Sequence, residues 1–390
     1  MTQTDQTGMA SNGRTQGCPV SASVSAHVTA PAEALAKALG QGPHALILVF
    51  ASLEADLPAL VATLGQAFPR TPICGCSTAG EITATGYDMG KVVAFAFPNR
   101  GFDAEVLVFE HIDQLDTRSV IGELLRARQS LSRRAEARIN ELAVLMVDGL
   151  SGQEDALVAA LSGGLGAVPI VGGSAGVVTG ATETVLFAEG RLLEKAAVLC
   201  LLRGVCEFRT FSLDHSRPTE ARMVVTRADP EHRMVLEIND EPAAVEYARL
   251  LGLTPDDLSP YVFAAHPVLV RVGGRYYVRA IQGVGPDNSL VFFGAITEGL
   301  VLTLGATEDI AGHLEQELAE LARRRNPSAI LGFDCFFRRI EAEGRQKVSE
   351  VSRILARHNV AGFSTFGEQI GAMHVNQTMT GVAFFPPEGN

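Results

Sequence analysis

One short segment near the C-terminus gathers the side chains best suited to holding a ligand. Ala361-Gly362-Phe363-Ser364-Thr365-Phe366-Gly367-Glu368-Gln369 is followed closely by Met373-His374-Val375-Asn376-Gln377-Thr378. A glycine-flanked turn, aromatic rings, a carboxylate, carboxamides and one imidazole thus share a loop and the strand after it. Ile370, Ala372, Met373 and Val375 flank the histidine with apolar surface. Greasy walls carrying a few polar groups that fix an orientation are the composition of a small-molecule pocket.

Other stretches offer different chemistry. Gly172-Gly173-Ser174-Ala175-Gly176 fits G-x-S-x-G, the nucleophile elbow of serine hydrolases, which needs a strand before the serine and a helix after it. A strand precedes, but Val177-Val178-Thr179-Gly180 does not begin a helix, so a tight turn of close backbone approach is the preferred reading. Cys74-Gly75-Cys76 lacks the CxxC spacing of zinc and thioredoxin-like sites and reads as small residues ending a buried strand. No turn matches the phosphate-binding glycine motifs. Of the nine histidines, His27, His44, His111, His215, His232, His313 and His358 fall in linkers, exposed faces or helices without clustering. His266, before Pro267, and His374 remain as candidates for ligation.

Bulk properties narrow the class. At 390 residues the chain exceeds one ordinary core, and two domains are expected. A net charge of -12 without a dense Lys/Arg run argues against nucleic acid and anionic lipid. Six scattered cysteines suit a reducing cytoplasm, and no CxxCH is present for covalent haem attachment. No apolar run approaches the ~20 residues of a membrane helix. Residues 1–22, polar and without an apolar h-region, read as a disordered tail and not a signal peptide.

The elements that must position these residues repeat. Ser23–Thr29 alternates as a first strand, Pro31–Leu39 is a short helix, and Ala45–Phe50 is an apolar run of the kind buried on both faces. A helix over Leu57–Phe68 leads to the strand and turn at Gly75-Cys76-Ser77-Thr78. Leu142–Asp148, the helix Glu154–Leu161 and Gly172-Gly173-Ser174-Ala175 repeat the order. Ala329–Asp334, the helix Val348–His358 and Gly362-Phe363-Ser364-Thr365 repeat it again. Each turn lies roughly 30 to 35 residues beyond its strand, the spacing of a crossover unit. Between the second and third copies, Ser216–His232 reads as a linker, and Leu269–Ala280 as a hairpin about Gly273-Gly274. The expected fold class is α/β, with two domains of repeated strand–helix–strand units and mixed sheets, over residues 23–225 and 226–386.

Several of these segments together resemble FIST sensory domains. Gly75-Cys76-Ser77-Thr78-Ala79-Gly80-Glu81, Asp148-Gly149 and Gly172-Gly173-Ser174-Ala175-Gly176 are similar to the N-terminal half of that family. Asn239-Asp240-Glu241-Pro242-Ala243, Tyr247, Leu251-Gly252, Tyr277-Val278-Arg279, Glu298-Gly299 and the segment from Gly362 to Thr378 are similar to its C-terminal half. The likeness covers about residues 25–385. It departs at Val177, where members often carry an acidic residue.

The C-terminal motif most resembles the haem-binding, nitric-oxide-sensing branch. That resemblance implies a cytoplasmic, non-enzymatic sensor with non-covalent haem b, ferrous binding of nitric oxide, and control of a histidine kinase or a cyclic-di-GMP enzyme. His374 is then the expected iron ligand and His266 the runner-up. Glu368, Gln369 and Asn376 are expected to orient the ring. Phe363, Phe366, Ile370 and Met373 are expected to touch the macrocycle, and Arg271, Arg275 and Arg279 to offer donors to its propionates. Rival expectations are a haem-free FIST module for an organic ligand such as an amino acid, and a hydrolase built on Ser174. The oligomeric state stays open, a homo-oligomer included.

Overall fold

Three copies of one unit surround a shared core in the computed structural model, which describes residues 17–177 and 183–387. The first unit orders its strands Val20–Ser25, Lys91–Pro98, His44–Ala51 and Ile73–Ser77. In the second the order is Phe102–Phe109, Ala197–Gly204, Asn140–Asp148 and Ile170–Ala175. In the third it is Glu207–Leu213, Met379–Phe385, Ala329–Cys335 and Val360–Thr365. The last two strands of each run parallel, as a helical crossover requires, and the other pairings are antiparallel.

Alternation along the strands explains the layers. Phe50, Phe95, Met146, Phe333, Phe363 and Phe384 project inward from the three sheets into one central core. The opposite faces carry Val49, Leu145 and Ile330 outward onto helices: Pro31–Leu39 and Leu57–Ala67, Thr117–Arg134 and Glu154–Leu165, Ile310–Ala322 and Val348–Arg357. Asp56, Asp116 and Asp309 start three of these helices by accepting backbone N–H bonds with their side chains.

After its last parallel strand each unit sends a two-stranded hairpin into a neighbour. Glu81–Thr83 with Gly86–Asp88 pairs onto Val360–Thr365 of the third unit. Leu186–Ala188 with Arg191–Leu193 pairs onto Ile73–Ser77 of the first, and Glu368–Ile370 with Met373–Val375 onto Ile170–Ala175 of the second. The exchange is cyclic. Backbone bonds at the three turns follow the same circle: Ala79 N–H to Ser364 carbonyl, Phe366 N–H to Ser174 carbonyl, Gly176 N–H to Ser77 carbonyl.

Gly75, Gly172 and Gly362 occupy equivalent strand positions, and each is required. A Cβ on any of them would overlap the carbonyl oxygen of the adjacent parallel strand, at Val49, Leu145 and Gly332 respectively.

Between the first strand and first helix of the third unit lies a body with an eight-stranded sheet and its own core around Met223, Tyr247, Phe263 and Phe292. The segment expected as a linker, Ser216–His232, is instead the long strand Ser216–Asp229 of this sheet, its alternation hidden by charges on the solvent face. The Gly273-Gly274 hairpin forms as expected, both glycines at positive φ. The chain is thus mixed α/β, built from repeated strand–helix–strand units with mixed sheets. Of the tail expected over 1–22, residues 1–16 lie outside the described residues and Val20–Ser25 is strand.

Candidate functional site

Equivalence of the three hairpins isolates the site. Where a hairpin meets its host sheet on the helix-covered face, its two strands present one cross-strand pair. In the first unit's sheet that pair is Phe187 and Leu192, and in the third unit's sheet it is Ile82 and Tyr87. In the second unit's sheet it is Gln369 and His374, beneath the start of the helix Glu154–Leu165. Apolar and aromatic side chains fill two of the three positions, and the third holds an amide and an imidazole.

His374 is 1 % exposed. Its Nδ1 lies 3.2 Å from Gln369 Nε2, which also donates to Ser174 Oγ at 2.9 Å. Its Nε2 has no hydrogen-bond partner among the described residues, and neither do Gln369 Oε1, both amide atoms of Asn376, Gln377 Oε1 and Ser364 Oγ. Buried polar atoms are rarely left single, so those of His374, Gln369 and Asn376, which stand together about Gly367, mark a place where water or a ligand belongs. Burial pulls the imidazole down to about 4; Asp155 opposes this, and the positive charges of Arg279 and Arg233 add to it. The ring is therefore neutral at physiological pH.

Charged groups converge from three elements. Arg279 donates to the His374 carbonyl at 3.0 Å from the Gly273-Gly274 hairpin. Arg233 binds Glu154 at 2.5 Å and the Phe293 carbonyl, tying the eight-stranded body to the second unit. Half-buried Phe366 packs near Phe293 and Phe336, ring centroids 6.1 and 6.2 Å away, one residue before the glycine that covers the imidazole.

The structure brings some expected residues together and separates others. Gln369, Asn376 and Arg279 lie at His374. Phe363 does not: it points into the central core, 4.6 Å in ring centroids from Phe50. Glu368 alternates to the face opposite His374, where it accepts from Thr365 and Thr378, and Ile370 and Met373 share that face. Glu368 is thus no partner of the imidazole. Its carboxyl, desolvated, is pushed up to about 8. Arg271 pairs across from Tyr276 and Arg279 across from Val268, so the two arginines leave opposite faces of the hairpin and cannot share one ligand. Arg275 shares the Arg279 face but sits at the exposed tip. His266 caps the helix Pro260–Ala265, its carbonyl accepting from the Tyr247 hydroxyl; none of its described contacts is to His374.

The segment expected as a tight turn of close backbone approach is strand at Ser174, although Gly172 does make the close approach, and the rival elbow reading finds no turn there either. Ser174 is fully buried inside the strand Ile170–Ala175 and spends its hydroxyl on Gln369, so it presents no nucleophile at a turn. Arg233, Asp155 and Phe293 had no signal in the sequence, and Gly367 stood in the polar segment without its contact to the imidazole being legible. The first three reach the site through inter-unit packing, and only the proximity of Gly367 to His374 in the chain was a usable signal.

Whether these residues would suit a haem can be tested on this arrangement. The unpartnered Nε2 of a neutral imidazole and half-buried Phe366 one residue from Gly367 would suit such a group, and Arg279 stands at the His374 carbonyl as a donor, whereas Arg233 is already paired with Glu154. One feature must yield: a Cβ on Gly367 would lie 2.7 Å from Nε2, so the turn at Phe366-Gly367 closes over the ring. No group of three or more metal-binding side chains occurs among the described residues.

Cyclically exchanged units with mixed sheets, and one junction that holds buried polar groups where the other two hold apolar ones, describe the fold and its candidate site. The FIST N domain model matches residues 45–241 and the FIST C domain model residues 243–371. The chain belongs to the FIST family, whose domains are sensory modules of signalling proteins. No curated protein matches it. No helix among the described residues is long and apolar enough to cross a membrane.

Proposed function

We propose that this FIST protein senses nitric oxide through a non-covalent haem held at His374, and passes the signal to a histidine kinase or a cyclic-di-GMP enzyme. The observation that carries the reading is the unpartnered Nε2 of a buried, neutral imidazole at the one of the three junctions whose cross-strand pair is polar. When bound, the haem supplies a ferrous centre with an affinity for nitric oxide that side chains lack.

The residues divide the remaining work. His374 Nε2 would hold the iron when Gln369 turns its carbonyl oxygen to Nδ1–H, and the reversed amide keeps its contacts to both Ser174 and His374. Gly367 gives way, which no larger residue could do without displacing the ring. Arg279 holds the His374 carbonyl, so any shift of the imidazole pulls on the eight-stranded body. A ligand that binds the opened hairpin better than the closed one shifts the population between them.

Haem titration into the purified chain tests this. A Soret band that moves on adding nitric oxide to the ferrous protein is expected, and His374→Ala should lose the ligand-dependent position of both. An unchanged spectrum in His374→Ala overturns the assignment of the ligand. A chain that takes up no haem overturns the reading and returns the haem-free, organic-ligand alternative.

A further inference from the structure

Six cysteines are buried, and four of them stand in two close pairs. Cys74 Sγ lies 3.2 Å from Cys200 Sγ, both in central strands with no exposure. Cys18 Sγ lies 3.4 Å from Cys206 Sγ, at the other end of the strands from His374. Cys18 enters the first strand of the first unit and Cys206 the first strand of the third, with the Gly17 carbonyl 3.5 Å from Cys206 Sγ. This is the pole of the three-unit ring where the chain passes from one unit to the next.

We propose that Cys18 and Cys206 form a reversible redox modification site, closed to a disulfide by a small two-electron oxidant such as hydrogen peroxide. The sulfurs need to approach by little more than 1 Å to reach a disulfide bond length of about 2.0 Å. Their contact favours a thiolate on one sulfur accepting from the thiol of the other; the Arg325 guanidinium favours the charged form at both and Ser328 at Cys18, so Cys18 is taken as the attacking thiolate. Cys18 is 4 % exposed, enough to set it apart from the sealed Cys74–Cys200 pair.

In the first step the Cys18 thiolate attacks one peroxide oxygen and the O–O bond breaks. The departing hydroxide takes up the proton lost by Cys18 and leaves as water, with a sulfenic acid on Cys18. In the second, the Cys206 sulfur attacks the sulfenic sulfur, and its proton leaves with the hydroxyl as a second water. Two thiols are oxidised by two electrons and one peroxide is reduced. The product bridges residues 188 apart and fastens the entry of the first unit to that of the third.

The test uses the full chain, treated with a few-fold molar excess of hydrogen peroxide, then denatured, alkylated and mapped by mass spectrometry. The six thiols should fall to four, with one peptide cross-linked between Cys18 and Cys206 and Cys74 and Cys200 still alkylated. Dithiothreitol should restore all six. In Cys206→Ser, dimedone should label Cys18. Recovery of alkylated Cys18 and Cys206 from oxidised wild type, or a cross-link at Cys74–Cys200 instead, overturns the proposal, and this map decides even where the serine variant fails to fold.

Discussion

At His374 the position of one proton decides what the site can hold. With Gln369 donating to Nδ1 the hydrogen sits on Nε2, and the ring is a donor toward its ligand; with the amide reversed, Nε2 is a lone pair. A second buried group sets a pH limit on the fold. Glu81 accepts from Thr78 and from the Lys91 N–H, yet desolvation outweighs these bonds and pushes its carboxyl up to about 7. The folded state therefore keeps a proton that the unfolded chain releases near pH 4.5. This stability is fully present below that value and is lost as pH rises through about 7, some ~3 kcal/mol in all. Urea unfolding from pH 5 to 8 should show this loss in the wild type and a smaller one in Glu81→Gln; equal slopes would count against it.

Among the elements, the exchanged hairpins bear the most. Each inserts beside a strand whose glycine lets two parallel backbones approach, and Glu81 and Glu368 repeat one device, a buried carboxyl bridging a threonine three residues back and the entry to the strand that follows the hairpin. In the second unit Asp148 takes this part from the neighbouring strand, accepting from Thr184 and the Lys195 N–H. Gly172→Ala should thus split the pairing of Asn140–Asp148 with Ile170–Ala175 at its centre and cost about 3 kcal/mol or more. The measurement is the thermal midpoint, with Gly190→Ala as reference. Nothing lies within 4 Å of a Cβ there, and only its φ of +75° is at issue, so about 1 kcal/mol is expected.

On the scale of the whole molecule, the circle of exchanges joins the two family domains. A fragment ending at Glu241 keeps the first two units but lacks the hairpin Glu368–Val375, and its own hairpin Glu81–Asp88 loses its host sheet. Open strand edges of that kind promote association. Such a fragment should elute as aggregate, or lose its folded amide dispersion, while the full chain melts as one unit; a monomeric, well-dispersed fragment would refute the interdependence.

The sequence alone carried the main strands, helices and the threefold recurrence, because apolar runs and helical patterns are local signals read over ten residues or so. The three glycine segments it read as turns are instead the second parallel strand of each unit. It also marked His374 as the imidazole to examine, since the polar cluster is contiguous. It could not show that Glu368 and Met373 turn away while Gln369 turns toward the ring, although alternation from a known register would give it. Nor could it separate Arg271 from Arg279, or bring Arg233, Asp155 and Ser174 to a histidine some 140 to 220 residues distant. Those placements depend on which unit receives which hairpin. That choice is made by the cyclic packing of three sheets around one core, a long-range property with no local trace.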